Sequence, residues 1–527
     1  MFKTNLDALK TIIKDNKETE YGKKYNFSQI NSYEEYKNNV PITNYSKLKP
    51  YIDRIYNGEE NVLTSYKIHN FNCTSGTEGE CKKIPFTIKA LDVCYDIPER
   101  KKNNIIREYR KKNGKGKRLF IGLYSIDIEN PEKNKNLFLS EAYSYYLYKK
   151  GIMDYDEYIG GKDLLFDSYT KDYIYEKIWC AILEENIILI ESVYIYEILL
   201  FFNIFEKYYK EIISDIRNNK INPEKKISEK AKTILLNMEY SEERLNFVEK
   251  ECDKGFEGIA RRIWKNIKLI SGISNKLYVY ENKALDKYIG DIPKDGYVYA
   301  MSEGAIGTSF ENNYIYHLEP NFEFHEFIPY SKDGKNQSND IFNINEIEKN
   351  KIWEIILTNF SGLYRYEIGD VIKVVNINEK GIFFEFCFRK NNVINIIAEK
   401  TNFYHLEKVM RRMDEIIPNI LAYSIGATIY ENIGTYFLFL SLDDDQLKNI
   451  NLNTLIKEFD LALCKVNFGY GVDRKKKYLG EPKVFVMNKE KYNKLMNINS
   501  NKTTQIKQKY ILNEKFLNEI LEKMEKI

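Results

Sequence analysis

The sequence predicts a mixed α/β chain, with a large part rich in sheet and flanking helices followed by a smaller α+β domain. Three observations predict this. The length of 527 residues exceeds what one compact core holds and fits roughly two to four domains. Residues 176–255 carry a helical period with little Gly or Pro, whereas from Trp264 onward β-branched and aromatic runs alternate with turn residues such as Asp295-Gly296. Past Arg389, strand and helix patterns alternate over a stretch of domain size, which puts a hinge at residues 388–392 and gives domains 1–388 and 389–527.

In chain order, residues 1–70 begin with amphipathic helical patterning at Leu6, Leu9, Ile12 and Ile13, and Pro41 and Pro50 interrupt the short segments that follow. Residues 86–175 mix β-prone runs such as 119–126 with lysine-rich loops. The aromatic run AYSYYLY (142–148) fits core packing better than a pocket wall. The most apolar run, 178–202, carries Glu184, Glu185, Glu191 and Glu197, so it is a poor bilayer span and reads as a core helix pair. Strands are expected at 267–273, 276–280, 297–301, 314–318, 352–358, 370–375 and 382–388, the sheet and barrel elements of the large domain. The small domain then takes a strand at 393–397, a helix at 404–417, strands at 421–430 and 434–441, a helix at 454–468 and a strand at 482–487. No internal repeat is visible.

Lys and Arg number 80 against 77 acidic residues, a net charge of +3, which argues against binding nucleic acid or a membrane surface through bulk charge. The basic clusters 111–118 and 474–477 lack interleaved aromatic residues and are expected as solvated loops. The seven cysteines are scattered without a C-x-x-C, so neither a disulfide framework nor a zinc cluster is indicated. The first twenty residues hold no signal-like apolar stretch, and the expectation is a cytoplasmic monomer. Four histidines, without H-E-x-x-H or G-x-S-x-G, weaken zinc-enzyme and serine-hydrolase readings.

Three stretches carry chemistry. CTSGTEGECKKIP (73–85) sets hydroxyls and glycines ahead of Lys82 and Lys83, as a loop closing over a phosphate chain requires, although the Walker spacing is absent and a polar surface turn would look similar. YAMSEGAIG (299–307) offers an aromatic ring at Tyr299, a hydroxyl at Ser302 and a carboxylate at Glu303, a pattern suited to a purine, a phosphate and a phosphate-bound magnesium, or simply to a turn. TNFSGLYRYEIGDV (358–371) offers Asp370 for vicinal ribose hydroxyls. Its Arg365 either faces phosphate or braces the strand by pairing with Glu367 or Asp370.

In this order and at these separations, the three stretches resemble the nucleotide motifs of the GH3 family of acyl acid-amido synthetases, within the adenylate-forming superfamily. The resemblance extends to VPITNYSKLKPYIDRIYNGE, to EFIP at 326–329, to FRKNNVINIIAEKT at 388–401, to LALCKVNFGY at 461–470 and to TQIKQK at 504–509. Residues 100–260 match least.

The resemblance implies an adenylate-forming architecture with ATP and Mg²⁺ between a large amino-terminal and a small mobile carboxy-terminal domain. Ser75, Gly76, Thr77, Gly79 and Lys82 would hold phosphate, Tyr299 would stack on adenine, Ser302 would meet the α-phosphate and Glu303 magnesium. Thr358, Arg365 and Asp370 complete the nucleotide set, with Asp370 on the ribose, and Lys507 would act from the small domain during adenylation. The substrates implied are a carboxylic acid and an amino acid. Departures are Glu78 and Glu80 in the phosphate loop, which oppose a triphosphate, and Phe388 and Ala398 in place of hinge glycines. Rival readings are a ligase passing the acyl group to a thiol and a degenerate nucleotide-binding module.

Overall fold

The computed structural model describes residues 2–74, 82–121, 135–137, 144–146, 148, 155–166, 172–274, 279–296, 298–310, 314–330, 340–390, 393–397, 399–496 and 510–524. Its centre is an eight-stranded antiparallel sheet. The strand order is Phe342–Asn343, Phe324–Tyr330, Ile352–Thr358, Tyr366–Asn378, Gly381–Arg389, Ile315–Leu318, Gly304–Phe310 and Val298–Met301. The short amino-terminal helices and the hairpin Ile68–Thr74/Lys82–Thr87 close one side of it, and Leu9, Ile12, Tyr36, Phe86, Phe324 and Leu357 share one core. Thr43 stitches the approach segment on, exchanging backbone hydrogen bonds with Arg365 and Glu367.

A second core surrounds a parallel sheet of Lys117–Phe120, Ile187–Tyr194, Leu269–Ile273 and Lys294–Asp295. Here the structure corrects the reading of 178–202. The helix Tyr173–Leu183 ends, the strand Ile187–Tyr194 follows, and the helix Ile195–Arg217 takes over. Every residue of that strand is buried, as for an inner strand of a parallel sheet, so it lacks the alternation that distinguishes strand from helix. Nor is 276–280 a strand to its end, because the helix Val279–Ile289 has begun by Val279; 276–278 lie outside the described residues.

The cluster 111–118 is also not a loop throughout. It spans the end of the helix Ile88–Asn113 and the start of the strand Lys117–Phe120. Arg118 is buried, donating to Glu191 at 2.6 and 2.9 Å and lying over the Tyr158 ring at 4.6 Å. Two cations, Arg118 and Lys102, thus meet Glu191, and they hold its carboxyl below the usual range, to about 2, against the cost of burial.

The small domain pairs Ala422–Tyr430 with Ile433–Leu442, and adds Lys483–Asn488 in parallel. One face packs on the helices Phe403–Ile416 and Leu452–Val466, the other on Glu514–Met524. The helix expected at 454–468 divides at Asn467, which caps a second helix, Phe468–Lys475. Phe388 is fully buried, sharing a core with Phe403, Leu406 and Met410. Among the described residues, no helix is long and apolar enough to cross a membrane.

Candidate active site

The strands Val298–Met301 and Gly304–Phe310 form a hairpin in which Met301 faces Gly304, leaving Ser302 and Glu303 as a two-residue turn. Two buried asparagines hold this turn through its two carbonyls. Asn72, on the strand Ile68–Thr74, donates its Nδ2 to the Ser302 carbonyl at 3.0 Å. Asn359, just beyond Ile352–Thr358, donates its Nδ2 to the Glu303 carbonyl at 2.7 Å. The Asn359 Oδ1 meanwhile accepts from the Ser361 and Leu363 amides, at 2.9 and 3.1 Å, which shapes the loop leading to Asp370. In the first hairpin Thr74 pairs with Lys82, so the phosphate-loop candidate is anchored on the strand that carries Asn72. Ser75, Gly76, Thr77 and Gly79 themselves lie outside the described residues, as does Lys507.

Asp370 follows Gly369, whose φ of +80° is a conformation that glycine adopts without strain. Its Oδ1 accepts from Arg389 Nε at 2.8 Å, and its Oδ2 from the Tyr299 hydroxyl at 2.6 Å. Tyr299 lies on the edge strand, four strands from Asp370. In a flat sheet that separation would be about 19 Å, so the sheet has to curl for the two side chains to meet. The curl is filled by aromatic rings: Tyr299 packs on Tyr316, Phe384 and Phe386 at 5.3 to 5.7 Å. At 7 % exposure its ring offers little open area for an adenine in this conformation.

Burial pushes the Glu303 carboxyl above its usual pKa, with Arg389 and Lys82 opposing the shift and Asp370 adding to it. A cation placed at this turn relieves that cost. Among the described residues no group of three or more His, Cys, Asp or Glu could hold a metal. A single carboxylate of this kind fits magnesium that takes its other ligands from phosphate and water. Asp370 has given one lone pair per oxygen to a donor and retains others for hydroxyls.

Two expected nucleotide contacts turn inward instead. Arg365 pairs with Glu326, Nε to Oε2 at 2.9 Å and Nη2 to Oε1 at 3.0 Å, and not with Glu367 or Asp370. Its Nη1 donates to the Lys37 and Val40 carbonyls. Thr358 is fully buried; its Oγ1 accepts from the Arg365 amide at 3.0 Å and shares a hydrogen bond with the Tyr36 hydroxyl at 2.8 Å. Both residues brace the sheet.

Sequence reasoning missed Asn72, Asn359, Arg389 and Glu323. The first three fall inside or beside stretches already singled out, but their partners are remote in sequence. Glu323 is buried, and both its oxygens lie where a Gly304 Cβ would stand, at 2.2 and 2.5 Å. Among the described residues neither oxygen has a hydrogen-bond partner, and burial, with Glu303 nearby, raises its pKa well above the usual value.

Three successive stretches of the chain match family models: the GH3 family N-terminal domain over residues 2–294, the central domain over 316–392 and the C-terminal domain over 404–515. The chain belongs to the GH3 family. It is 24 % identical over 515 residues to the jasmonoyl–L-amino acid synthetase GH3.5 of Oryza sativa subsp. japonica, covering 93 % of this chain and 88 % of that protein. With the indole-3-acetic acid-amido synthetase GH3.2 of Arabidopsis thaliana it shares 25 % identity over 488 residues, 87 % of this chain and 86 % of that protein. The solved AtGH3.15 acyl acid amido synthetase in complex with 2,4-DB matches with a TM-score of 0.83 at 21 % identity, over 99 % of this chain and 93 % of that one. The 2-hydroxyisobutyryl-CoA ligase with 2-HIB-AMP, in its postadenylation state, matches at a TM-score of 0.51 and 11 % identity, over 100 % and 92 %. This GH3 chain therefore has the fold of adenylate-forming enzymes.

Proposed function

We propose that this GH3 protein is an ATP-dependent acyl acid-amido synthetase, working on small molecules as a cytoplasmic monomer. The observation that carries the reading is the Ser302–Glu303 turn pinned by Asn72 and Asn359, which brings the phosphate-loop hairpin, the turn and the Asp370 strand to one place.

In the first half-reaction a carboxylate oxygen of the acyl acid attacks the α-phosphorus of ATP, the bond to the bridging oxygen breaks, and pyrophosphate leaves. In the second, the nitrogen of an amino acid attacks the acyl carbon, the single bond from that carbon to the phosphate oxygen breaks, AMP departs with its electron pair, and the nitrogen sheds a proton. Asp370 accepts hydrogen bonds from ribose hydroxyls while Tyr299 and Arg389 fix its rotamer. Ser302 meets the α-phosphate, and the loop of Ser75, Gly76, Thr77, Gly79 and Lys82 carries the rest. Glu303 would hold Mg²⁺, which when bound neutralises phosphate charge. Lys507 stabilises the charge that develops as pyrophosphate leaves. These contributions are positioning and electrostatic, so the small number of histidines is no obstacle.

The test is ATP–pyrophosphate exchange across a panel of carboxylic acids, then product mass spectrometry with a panel of amino acids. Exchange with at least one acid, followed by an amide product, is expected. A thioester formed only with coenzyme A, or ATP binding without exchange on any acid, overturns the proposal.

A further inference from the structure

The helix Val279–Ile289 belongs to the large domain, packing Leu285, Tyr288 and Ile289 into the second core. Glu281 on this helix bonds instead to the small domain: the Tyr510 hydroxyl lies 2.7 Å from each of its carboxyl oxygens. Both residues are buried, at 6 % and 7 % exposure. Tyr510 is fixed to the small domain by its ring contacts with Phe403 and Tyr423, at 6.2 and 4.9 Å. Its carbonyl also accepts from the Ile425 amide at 2.8 Å. A second contact runs from the same helix, Lys283 to Asp414 at 3.7 Å on the helix Phe403–Ile416. The Glu281–Tyr510 bond is thus a buried polar link between two distinct hydrophobic cores, the one that holds Leu285 and Tyr288 and the one that Tyr510 shares with Phe403 and Phe388. In sequence, Tyr510 stands three residues beyond Lys507.

We propose that Glu281 and Tyr510 are positioning residues: they form a latch that fixes the carboxy-terminal tail to the large domain for adenylation and opens for acyl transfer. The assignment of half-reactions rests on the function proposed above; the latch itself rests on the two side chains. A neutral carboxyl both accepts from a phenol and donates to it, so it meets Tyr510 through both oxygens without a buried charge.

Among the described residues, the titratable groups that act on Glu281 are Tyr510, Lys489 and Tyr492 on the helix Lys489–Met496, and Tyr314. Burial outweighs the Tyr510 hydrogen bond and the Lys489 charge, and lifts the Glu281 pKa from 4.5 to about 7. The latched form therefore binds the proton more tightly than the open form, where the carboxyl is solvated. Latching is fully favoured below about pH 4.5, weakens as pH rises toward 7 and levels off above it.

Hydrogen–deuterium exchange, corrected for intrinsic rates, tests this on the full chain without substrate. Protection of 279–289 and 510–524 should fall between pH 5.5 and 8 in the wild type. Tyr510→Phe should speed exchange there about fivefold to tenfold at pH 5.5, with the strand Ile433–Leu442 unchanged as a control for the fold. Glu281→Gln keeps a neutral partner for the phenol, so it should retain the protection and abolish the pH dependence. In turnover, Tyr510→Phe should lower kcat for pyrophosphate exchange while leaving the KM for ATP alone. Equal protection in wild type and Tyr510→Phe, or a pH dependence that persists in Glu281→Gln, overturns the latch. Variant-sensitive protection in a protein that exchanges pyrophosphate with no acid supports the latch and refutes the amido synthetase reading.

Discussion

Two arginine–carboxylate pairs lie on the same eight-stranded sheet, and they differ in what they leave over. In the Arg365–Glu326 pair the side chains are 3 % and 1 % exposed, and backbone carbonyls of Lys37 and Val40 take Nη1. In the Arg389–Asp370 pair the Asp370 side chain is 5 % exposed but the Arg389 side chain 45 %. The first is buried, with its donors given to a carboxylate and backbone carbonyls, and it braces the sheet. The second fixes a carboxylate from behind and keeps a cation open to solvent beside Glu303, which is where a nucleotide would need it. Identical chemistry becomes scaffold or site according to the donors and acceptors still unspent.

The comparison breaks most visibly at the closed pair. Arg365→Ala leaves Glu326 buried without its counter-charge, and chemical denaturation should show a loss of about 3–5 kcal/mol. A smaller loss, about 1–3 kcal/mol, is expected for Gly304→Ala, whose new methyl group would meet the Glu323 oxygens. Adding Glu323→Ala should recover most of that loss, since the two sites share one space; no recovery would place the strain elsewhere. The open pair should respond in the opposite sense. Arg389→Ala leaves Asp370 the Tyr299 hydroxyl, so it should cost less stability than Arg365→Ala, about 1–3 kcal/mol, yet weaken nucleotide binding measured by calorimetry roughly tenfold.

Much of the fold is legible in the sequence because burial on one or both faces leaves a pattern. The strand Ile352–Thr358 coincides with its expected bounds, and 382–388 falls short of Gly381–Arg389 by one residue at each end. The inner strand Ile187–Tyr194 is not legible, since burial on both faces erases the alternation and leaves an apolar run that suits a helix equally well. The site is legible as three stretches and not as a network. Asn72 and Asn359 stand in plain view, but nothing in their spacing reveals that each reserves its amide for a carbonyl 230 or 56 residues away. Arg365 offered two acidic neighbours in its own stretch, and folding chose Glu326, 39 residues upstream, because the adjoining strands Phe324–Tyr330 and Ile352–Thr358 carry it there. Arg389 looked like part of a hinge until its register against Asp370 made it the partner of a candidate site carboxylate.

The most direct test compares ATP with 2′-deoxy- and 3′-deoxy-ATP in pyrophosphate exchange, in the wild type and in Asp370→Ala. If Asp370 holds the ribose, the wild type should favour ATP by about tenfold or more, and the variant should treat the three nucleotides nearly alike. A preference for ATP that survives intact in Asp370→Ala would contradict the placement of the nucleotide in this cleft.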